Sequence, residues 1–135
     1  MKIRSVAQHF IAQTWPMVEG FIAKAMKFSG GDYNLDQIRM YLSQGTWLLL
    51  VAVDDENKVH GAMTVSFMNY PNDRVAYVTS MGGKGICTAD ALDQMKSIVS
   101  AMGATKVQAG GRPAIVRMLG RLGFSQRYTV VEAGI

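Results

Sequence analysis

The sequence has little of the residue types that disulfide frameworks and metal sites require. Its 135 residues include one cysteine, Cys87, and two histidines, His9 and His60. One cysteine cannot form a disulfide within the chain, and with two separated histidines it gives no metal-ligand spacing. We therefore expect no intramolecular disulfide and no metal site. A lone thiol suits a reducing compartment, so the cytoplasm is the predicted location.

Long apolar runs and blocks of like charge are also absent. The apolar stretch at residues 47–53 has only strand length, and the first residues contain no signal-peptide core. The net charge of +4 is modest and includes no basic run. These features disfavour a membrane protein and a nucleic-acid partner. With 49% hydrophobic and 18% charged residues, the chain has the composition of a compact protein, and we expect one domain over residues 1–135.

The first part of the chain alternates between strand and helix patterns. Pro16 suits a first helical turn with Thr14 as its cap, and Asn34 with Gln37 forms a capping-box pair at the start of a second helix. Short polar spacers between three strand-like runs predict an antiparallel meander. The predicted elements are a strand at 2–6, helices at 15–27 and 34–45, and strands at 47–53, 59–68 and 74–80.

The second part of the chain repeats a helix–strand pattern. Thr88 is the expected N-cap of a helix that Gly103 ends, and Pro113 lies near the start of a helix that Gly123 ends. Short strands are predicted at 105–109 and 128–133. The order βααβββαβαβ predicts an α/β fold with a mixed, mostly antiparallel central sheet flanked by helices.

A glycine-rich segment joins the fourth predicted strand to the third helix. Glycines between a strand and a helix start let backbone N–H groups converge on an anion, and the helix dipole adds favourable charge. The segment therefore predicts a phosphate-bearing ligand, with a plain turn as the alternative. The residues of this candidate site are Gly82, Gly83, Lys84, Gly85, Ile86, Cys87 and Thr88.

The order of elements and the position of this glycine loop resemble the GNAT superfamily of N-acyltransferases over essentially the whole chain. In that family the loop reads Gln/Arg-x-x-Gly-x-Gly/Ala, and its amides bind the pyrophosphate of acetyl-coenzyme A. Gly85 matches the central glycine, whereas Gly82 stands at the Gln or Arg position and Cys87 at the final small position. The resemblance implies a GNAT-like fold with acetyl-CoA as the acyl donor substrate.

A second family signature lies in the last predicted helix. It often has Asn-x-x-Ala near the helix start and Tyr-x-x-x-Gly-Phe at its end. Here the ending at Gly123 and Phe124 matches, but Arg112 stands at the Asn position. Leu119 stands where many members have a tyrosine that protonates the leaving thiolate. The altered signature and the compact chain look most like small phage-encoded members, for which the host cytoplasm is the implied location.

The resemblance also implies how the rest of the cofactor would be held. Lys84 would pair with a phosphate, with a solvated loop lysine as the alternative, and Arg117 and Arg121 would meet the 3′-phosphate unless they form a solvated basic face. In the family, backbone groups near the end of the fourth strand hold the pantetheine arm. The matching residues are Val78, Thr79 and Ser80.

Acyl transfer to an amine needs a base for the amine and often an acid for the thiolate. The fourth predicted strand contains no carboxylate or histidine, so Tyr77 is its candidate catalytic residue, with a packed aromatic as the alternative. Asp73 lies at the beginning of that strand. His60 is expected far from the cofactor cleft. A helix N-terminus would lower the thiol pKa of Cys87, but no histidine partners it in sequence.

Two functions follow from these residues. The first is an N-acetyltransferase that uses acetyl-CoA and an amine acceptor, with Glu19, Phe28, Asp32 and Tyr33 on the acceptor side. The second is a catalytically inactive GNAT-fold binding protein that acts through protein contacts, for example on a host or virion protein. A last strand containing Val130 and Val131 would also allow a homodimer through a sheet edge.

Overall fold

The computed structural model of the protein describes residues 1–28 and 30–135. One mixed five-stranded sheet forms its centre, and four α-helices pack around the sheet. The predicted fold class is confirmed. The strands are β1 (Lys2–Val6), β2 (Leu48–Val53), β3 (Val59–Asn69), β4 (Arg74–Gly83) and β5 (Lys106–Ala109); the helices are α1 (Ile11–Met26), α2 (Leu35–Ser43), α3 (Ala89–Ala101) and α4 (Pro113–Arg121).

The strands lie in the sheet in their chain order, β1-β2-β3-β4-β5. The first three neighbouring pairs are antiparallel, as the short polar turns predict. β4 and β5 are parallel, because α3 carries the chain back across the sheet between them. This single parallel pair lies at the end of the sheet where the candidate site is found.

Each face of the sheet is covered by its own hydrophobic core. Leu50 and Val78 pack with Met95 of α3 on one face, whereas Leu49 packs with Ile22 of α1 on the other. Adjacent residues of β2 therefore enter different cores, which explains why this strand is apolar throughout. Each of these fully buried side chains stabilises the fold by about 1.5–3 kcal/mol.

Two predicted helix caps are present. The side chain of Asn34 accepts a hydrogen bond from the Gln37 amide at 2.8 Å, and the Gln37 side chain accepts one from the Asn34 amide at 3.0 Å. Thr88 Oγ1 accepts a hydrogen bond from the Ala91 amide at 3.1 Å. The second cap fixes where α3 begins, and therefore where the preceding loop ends.

The predicted start of α1 is wrong. The helix begins at Ile11, after a short 3₁₀ turn at Gln8–Phe10, so Thr14 is not a cap and Pro16 lies inside the helix. Ile11 and Trp15 are four residues apart, and both are buried in the core. Burial of this helical face extends the helix toward its N-terminus and outweighs the hydrogen bond that Pro16 cannot make.

The predicted last strand at 128–133 is also wrong. Residues 124–135 form no regular structure, and Val130 and Val131 are 80% and 88% exposed. Strand propensity reflects packing on a half-buried pleated surface, and this segment has no such partner in the described part of the chain. β5 is therefore an edge strand. Among residues 1–28 and 30–135, no helix has both the length and the apolarity needed to cross a bilayer.

Candidate functional site

The candidate site lies where β4 and β5 separate. Val78 is paired with Ala109, the last residue of β5, whereas β4 continues to Gly83 beside β3. From Thr79 onward, β4 therefore has an edge without a strand neighbour on the β5 side. We refer to the separation point between Val78 and Ala109 as the vertex.

A β-bulge lies directly after the vertex. Thr64 of β3 is paired with Ser80 and Val65 with Val78, so Thr79 is an extra residue in β4. Thr79 Oγ1 lies 2.7 Å from Thr64 Oγ1 and donates to the Thr64 carbonyl oxygen at 3.1 Å. The Ser80 hydroxyl is also hydrogen bonded to Thr64. Both hydroxyls are thus used within the fold, and the backbone is what this edge offers to a ligand.

The prediction that residues 82–87 form one loop is wrong for its first two residues. Gly82 and Gly83 end β4 and are paired with Ala62 and Gly61 of β3. A Cβ atom on Gly82 would collide with the backbone carbonyl of Phe21 in α1, and Gly83 has a φ of +88°. These glycines are therefore required by the close approach of α1 and by the backbone turn. The close approach of α1 explains why Gly82 stands where the GNAT family has Gln or Arg.

The remaining loop, residues 84–88, is held to the sheet by one amide and one side chain. The Lys84 amide donates to the His60 carbonyl oxygen at 2.7 Å. Ile86 is buried in the core that α3 covers. The backbone of His60 thus lies beside this loop, which corrects its expected position far from the cofactor cleft. The imidazole itself faces the β2–β3 turn, where Nε2 lies 2.7 Å from Asp54 Oδ2 and lowers the pKa of Asp54.

Three consecutive amides of this loop have no hydrogen-bond partner in the described part of the chain. Within residues 1–28 and 30–135, the amides of Gly85, Ile86 and Cys87 make no hydrogen bond. They precede the N-terminus of α3, where the helix dipole favours negative charge. The carboxylate of Asp90 in the first turn opposes an anion, although it accepts a hydrogen bond from Gln94 Nε2 at 2.9 Å. The amides without hydrogen bonds thus lie in the second half of the predicted segment.

Tyr77 lies at the vertex. It faces the opposite side of the sheet from Val78, and its hydroxyl is so close to Gly110 that a Cβ there would lie 2.6 Å from it. A cavity of about 450 Å³ opens at this point, between the ends of the strands, α4 and the C-terminal segment. Leu119, buried to 5% exposure, lines the same cavity. The phenol of Tyr77 and the leucine at the family's tyrosine position therefore share one space.

The other candidate acids and bases lie outside this cavity. The residues that line it include no carboxylate and no imidazole. Asp73 Oδ2 is 3.0 Å from Lys106 Nζ, and this contact, together with a hydrogen bond from Thr105, lowers the pKa of Asp73. The ring of His9 contacts that of Phe10 in a tilted arrangement, with 4.3 Å between the ring centres. Asp73 therefore ties the starts of β4 and β5 together instead of serving as a base.

Cys87 does not have the environment of a nucleophile. Burial raises the pKa of its thiol, so the side chain stays protonated at neutral pH, contrary to the effect expected from the helix N-terminus. Its side chain packs against the core that α3 covers. Across residues 1–28 and 30–135, no group of three histidine, cysteine or acidic side chains is placed to bind a metal. The backbone amide of Cys87, and not its sulfur, is the group predicted to contact a phosphate.

The predicted acceptor side contains more aromatic residues than the sequence indicated. Tyr33, which was predicted there, contacts Trp47 edge to face at 4.8 Å, and Tyr41 stacks on the same indole at 4.8 Å. Burial raises the pKa of Tyr33, and the negative charges of Asp32 and of ionised Tyr77 and Tyr41 add to this effect. Tyr41 and Trp47 were missed because their spacing matches ordinary core positions.

Basic side chains border the site. The Arg112 guanidinium lies 3.9 Å from the ring centre of Phe28, which joins the start of α4 to the segment after α1. Arg117 and Arg121 are exposed one turn apart on α4, as predicted, and neither has an acidic partner within 4.0 Å in the described part of the chain. Glu19 is exposed two turns before the end of α1.

Comparison with known proteins identifies the fold. No protein-family profile and no curated protein matches this sequence. The structure is similar to a probable acetyltransferase (14% identity, TM-score 0.69, 100% of both chains). It is also similar to an aminoglycoside acetyltransferase from an uncultured soil metagenomic sample in complex with sisomicin (12% identity, TM-score 0.72, 99% of this chain and 94% of that one). A third match is a predicted acetyltransferase with acetyl-CoA from Clostridium acetobutylicum (13% identity, TM-score 0.67, 98% and 95%). Identities this low show the fold alone, and that fold is the GNAT fold of acetyltransferases.

Proposed function

We propose that the protein is an N-acetyltransferase that transfers an acetyl group from acetyl-CoA to an amine acceptor. One observation carries the proposal: an unpaired edge of β4 leads from the vertex to three consecutive amides without hydrogen bonds. An extended ligand with a phosphate group at one end matches this succession of backbone groups. The structural neighbour described with acetyl-CoA supports that choice of donor.

The residues predicted from the sequence have distinct roles in this proposal. The amides of Gly85, Ile86 and Cys87 would bind the pyrophosphate at the start of α3. The backbone of Thr79 and Ser80 would hold the pantetheine arm along the unpaired edge. The thioester would then lie near the vertex, beside Val78 and Tyr77. Gly82 and Gly83 shape the edge, and the exposed side chain of Lys84 can add positive charge.

Tyr77 is the proposed proton donor. The acceptor nitrogen attacks the thioester carbonyl carbon, so that a C–N bond forms and the C–S bond breaks. The leaving sulfur then takes the phenolic proton of Tyr77, and the tyrosinate recovers a proton from solvent. The proton lost by the amine passes to water, because the residues lining the cavity include no carboxylate or imidazole.

Calorimetric titration with acetyl-CoA tests donor binding. We expect the unmodified protein to bind and Gly85→Glu to lose binding, because a carboxylate would stand beside the three free amides. Gly134→Glu is the control, since Gly134 has no atom within 4 Å of its Cβ position and lies in the exposed C-terminal segment. Circular dichroism of both variants separates loss of the site from loss of the fold. Absence of binding to the unmodified protein would overturn the proposal.

Thiol release from acetyl-CoA tests catalysis. Tyr77→Phe is expected to lower kcat by about 100-fold, the usual contribution of a general acid, with acetyl-CoA affinity unchanged. Tyr70→Phe is the matched control, because Tyr70 is exposed in the β3–β4 turn and its hydroxyl contacts Met68. Full activity of Tyr77→Phe would remove Tyr77 from the mechanism.

The alternative remains a binding protein without catalysis. The absence of a carboxylate or imidazole among the residues that line the vertex cavity favours it. Binding of acetyl-CoA with no thiol release across a panel of amines and peptides would support this alternative and contradict the enzyme. A phage origin, a host or virion partner and a single domain over residues 1–135 stay predictions from the sequence.

A further inference from the structure

Four residues form a row across one face of the sheet at the vertex. Ser66 of β3 is paired with Tyr77, and Tyr77 is paired with Gln108 of β5. The antiparallel register of β2 and β3, continued by one residue, places Trp47 next to Ser66. All four side chains are half-buried, whereas Leu49 and Thr64, the next residues on the same face of the sheet, are fully buried. This set, which we call the aromatic row, is therefore partly open to solvent, and we refer to the space above it as the groove.

Aromatic rings and unpaired phenols dominate this groove. Tyr33 and Tyr41 both contact the indole of Trp47, with interplanar angles of 87° and 22°. Within the described part of the chain, the hydroxyls of Tyr33, Tyr41 and Tyr77 make no hydrogen bond. Tyrosine hydroxyls without hydrogen-bond partners, next to stacked rings, can contact a ligand that has both a flat ring and one polar substituent.

The charge around the groove is positive on balance. Arg112 directly follows Gly111, which lines the vertex cavity, and its guanidinium lies over Phe28, while Arg127 lines the same cavity. The acid beside the aromatic residues is Asp32, which is exposed and adjacent to Tyr33. Asp73 is paired with Lys106. A ligand with several ammonium groups would therefore meet two guanidinium groups and one free carboxylate, whereas a single ammonium group would be matched by Asp32.

We infer that the acceptor is a primary monoamine joined by a short alkyl chain to an aromatic ring or a similar flat apolar group, which lies on the aromatic row with its ammonium group toward Asp32. The inference rests on the proposed acetyl transfer and narrows its substrate class. It also distinguishes this groove from a site for a polycationic antibiotic such as sisomicin, with which a structural neighbour is described. When the amine has lost its proton, its nitrogen would face the thioester at the vertex.

Binding of tyramine and sisomicin without acetyl-CoA tests this inference separately from catalysis. We expect tyramine to bind and to shift the indole N–H resonance of Trp47, while the indole of Trp15, which is buried on the core face of α1, stays unchanged. Sisomicin is expected to bind at least tenfold more weakly at physiological salt. Tighter binding of sisomicin than of tyramine, or a shift of Trp15 alone, would overturn the inference. If tyramine binds but acetyl-CoA does not bind in its own titration, the proposed acetyl transfer is contradicted and the aromatic amine site is not.

Two matched pairs of variants assign the contacts. Tyr33→Ala is expected to weaken tyramine binding about tenfold, which corresponds to the loss of an aromatic contact, while Tyr70→Ala leaves it unchanged. Asp32→Asn is expected to weaken tyramine but not the uncharged 4-ethylphenol, with Asp55→Asn in the β2–β3 turn as the control. This second pair keeps the inference testable if Tyr33→Ala fails to fold. Equal effects of Asp32→Asn on tyramine and 4-ethylphenol would contradict the role of Asp32.

Discussion

The two ends of β4 differ in their strand neighbours and in the groups that they expose. At its start, Arg74–Val78 lies between β3 and β5, so its backbone is paired on both sides and Tyr77 projects into a cavity. At its end, β4 is paired with β3 alone, and α1 approaches Gly82 so closely that no side chain fits. The start of β4 thus presents side chains to a ligand, whereas its end presents backbone groups. In the proposed acetyltransferase, selection of an acceptor and binding of a phosphate ligand can therefore change independently.

The largest expected effect is at the glycine end. Gly82→Ala would force a Cβ atom onto the Phe21 carbonyl, and helix backbone cannot move away as a flexible side chain can. We expect a loss of about 2–3 kcal/mol in the free energy of unfolding, as for other overpacked sites. Urea denaturation measures this loss.

Gly20→Ala is the control for that variant. Gly20 lies in the same helix next to Phe21, its Cβ position has no atom within 4 Å, and alanine is the better helix former. The control should gain about 0.5–1 kcal/mol. Equal stability of Gly82→Ala and the parent protein would show that α1 does not confine this end of β4.

A smaller effect is expected at Gly85. Its φ of +74° disfavours alanine, but the nearest atom to a new Cβ is the thioether sulfur of Met1, which can move. We expect Gly85→Ala to cost about 1–2 kcal/mol, mostly as backbone strain. Because the same backbone orients the free amides, acetyl-CoA affinity should fall with it. Unchanged affinity in the folded variant would place the phosphate contact elsewhere.

The thiol of Cys87 gives a third test of the glycine end. Burial raises the thiol pKa, so its reaction with Ellman's reagent at pH 7 should be at least tenfold slower than in the urea-unfolded chain. The rate should rise only at a pH above the ordinary thiol value of about 8.5. Rapid reaction at pH 7 would indicate an activated thiol and reopen a nucleophilic role for Cys87.

The smallest effect is expected at the paired end, at Asp73. Lys106 and Thr105 lower the pKa of this carboxylate, so its contribution to stability is present above the ordinary value of about 3.9 and is lost as the pH falls below it. Asp73→Asn should therefore flatten the acid side of the stability–pH curve, measured by urea denaturation between pH 2.5 and pH 7. Asp55→Asn, which removes an exposed carboxylate elsewhere, should leave the slope unchanged. A steeper slope in Asp73→Asn would contradict the pairing with Lys106.

Local patterns in the sequence predicted those parts of the fold that depend on local physics. The capping box at Asn34 and the cap at Thr88 depend on residues within one helical turn, and both are confirmed. The start of α1 depended instead on the burial of Ile11 and Trp15, which only the assembled core reveals. The predicted strand at 128–133 failed for the same reason, because its partner had to come from outside the segment.

The candidate site also combines features set by local sequence with features set by contacts between distant residues. The glycines after β4 were found from spacing, but which of their amides are free depended on His60, which lies more than 20 residues earlier in the chain. The aromatic row was not predictable, since Ser66 and Gln108 lie on different strands, Trp47 precedes a third, and register brings them into line. Tyr77 was identified because the strand contained no better acid or base, and its catalytic role stays a prediction.

The chain order of the strands has a consequence for how the protein is made. β2, β3 and β4 are joined by short turns, so a nascent chain can pair them by local contacts as soon as Gly83 has emerged. β5 follows α3 in the chain and α4 follows β5, so both emerge from the ribosome after β4. During synthesis the residues of β5 that border the groove proposed to select an acceptor therefore become available after those of β3 and β4.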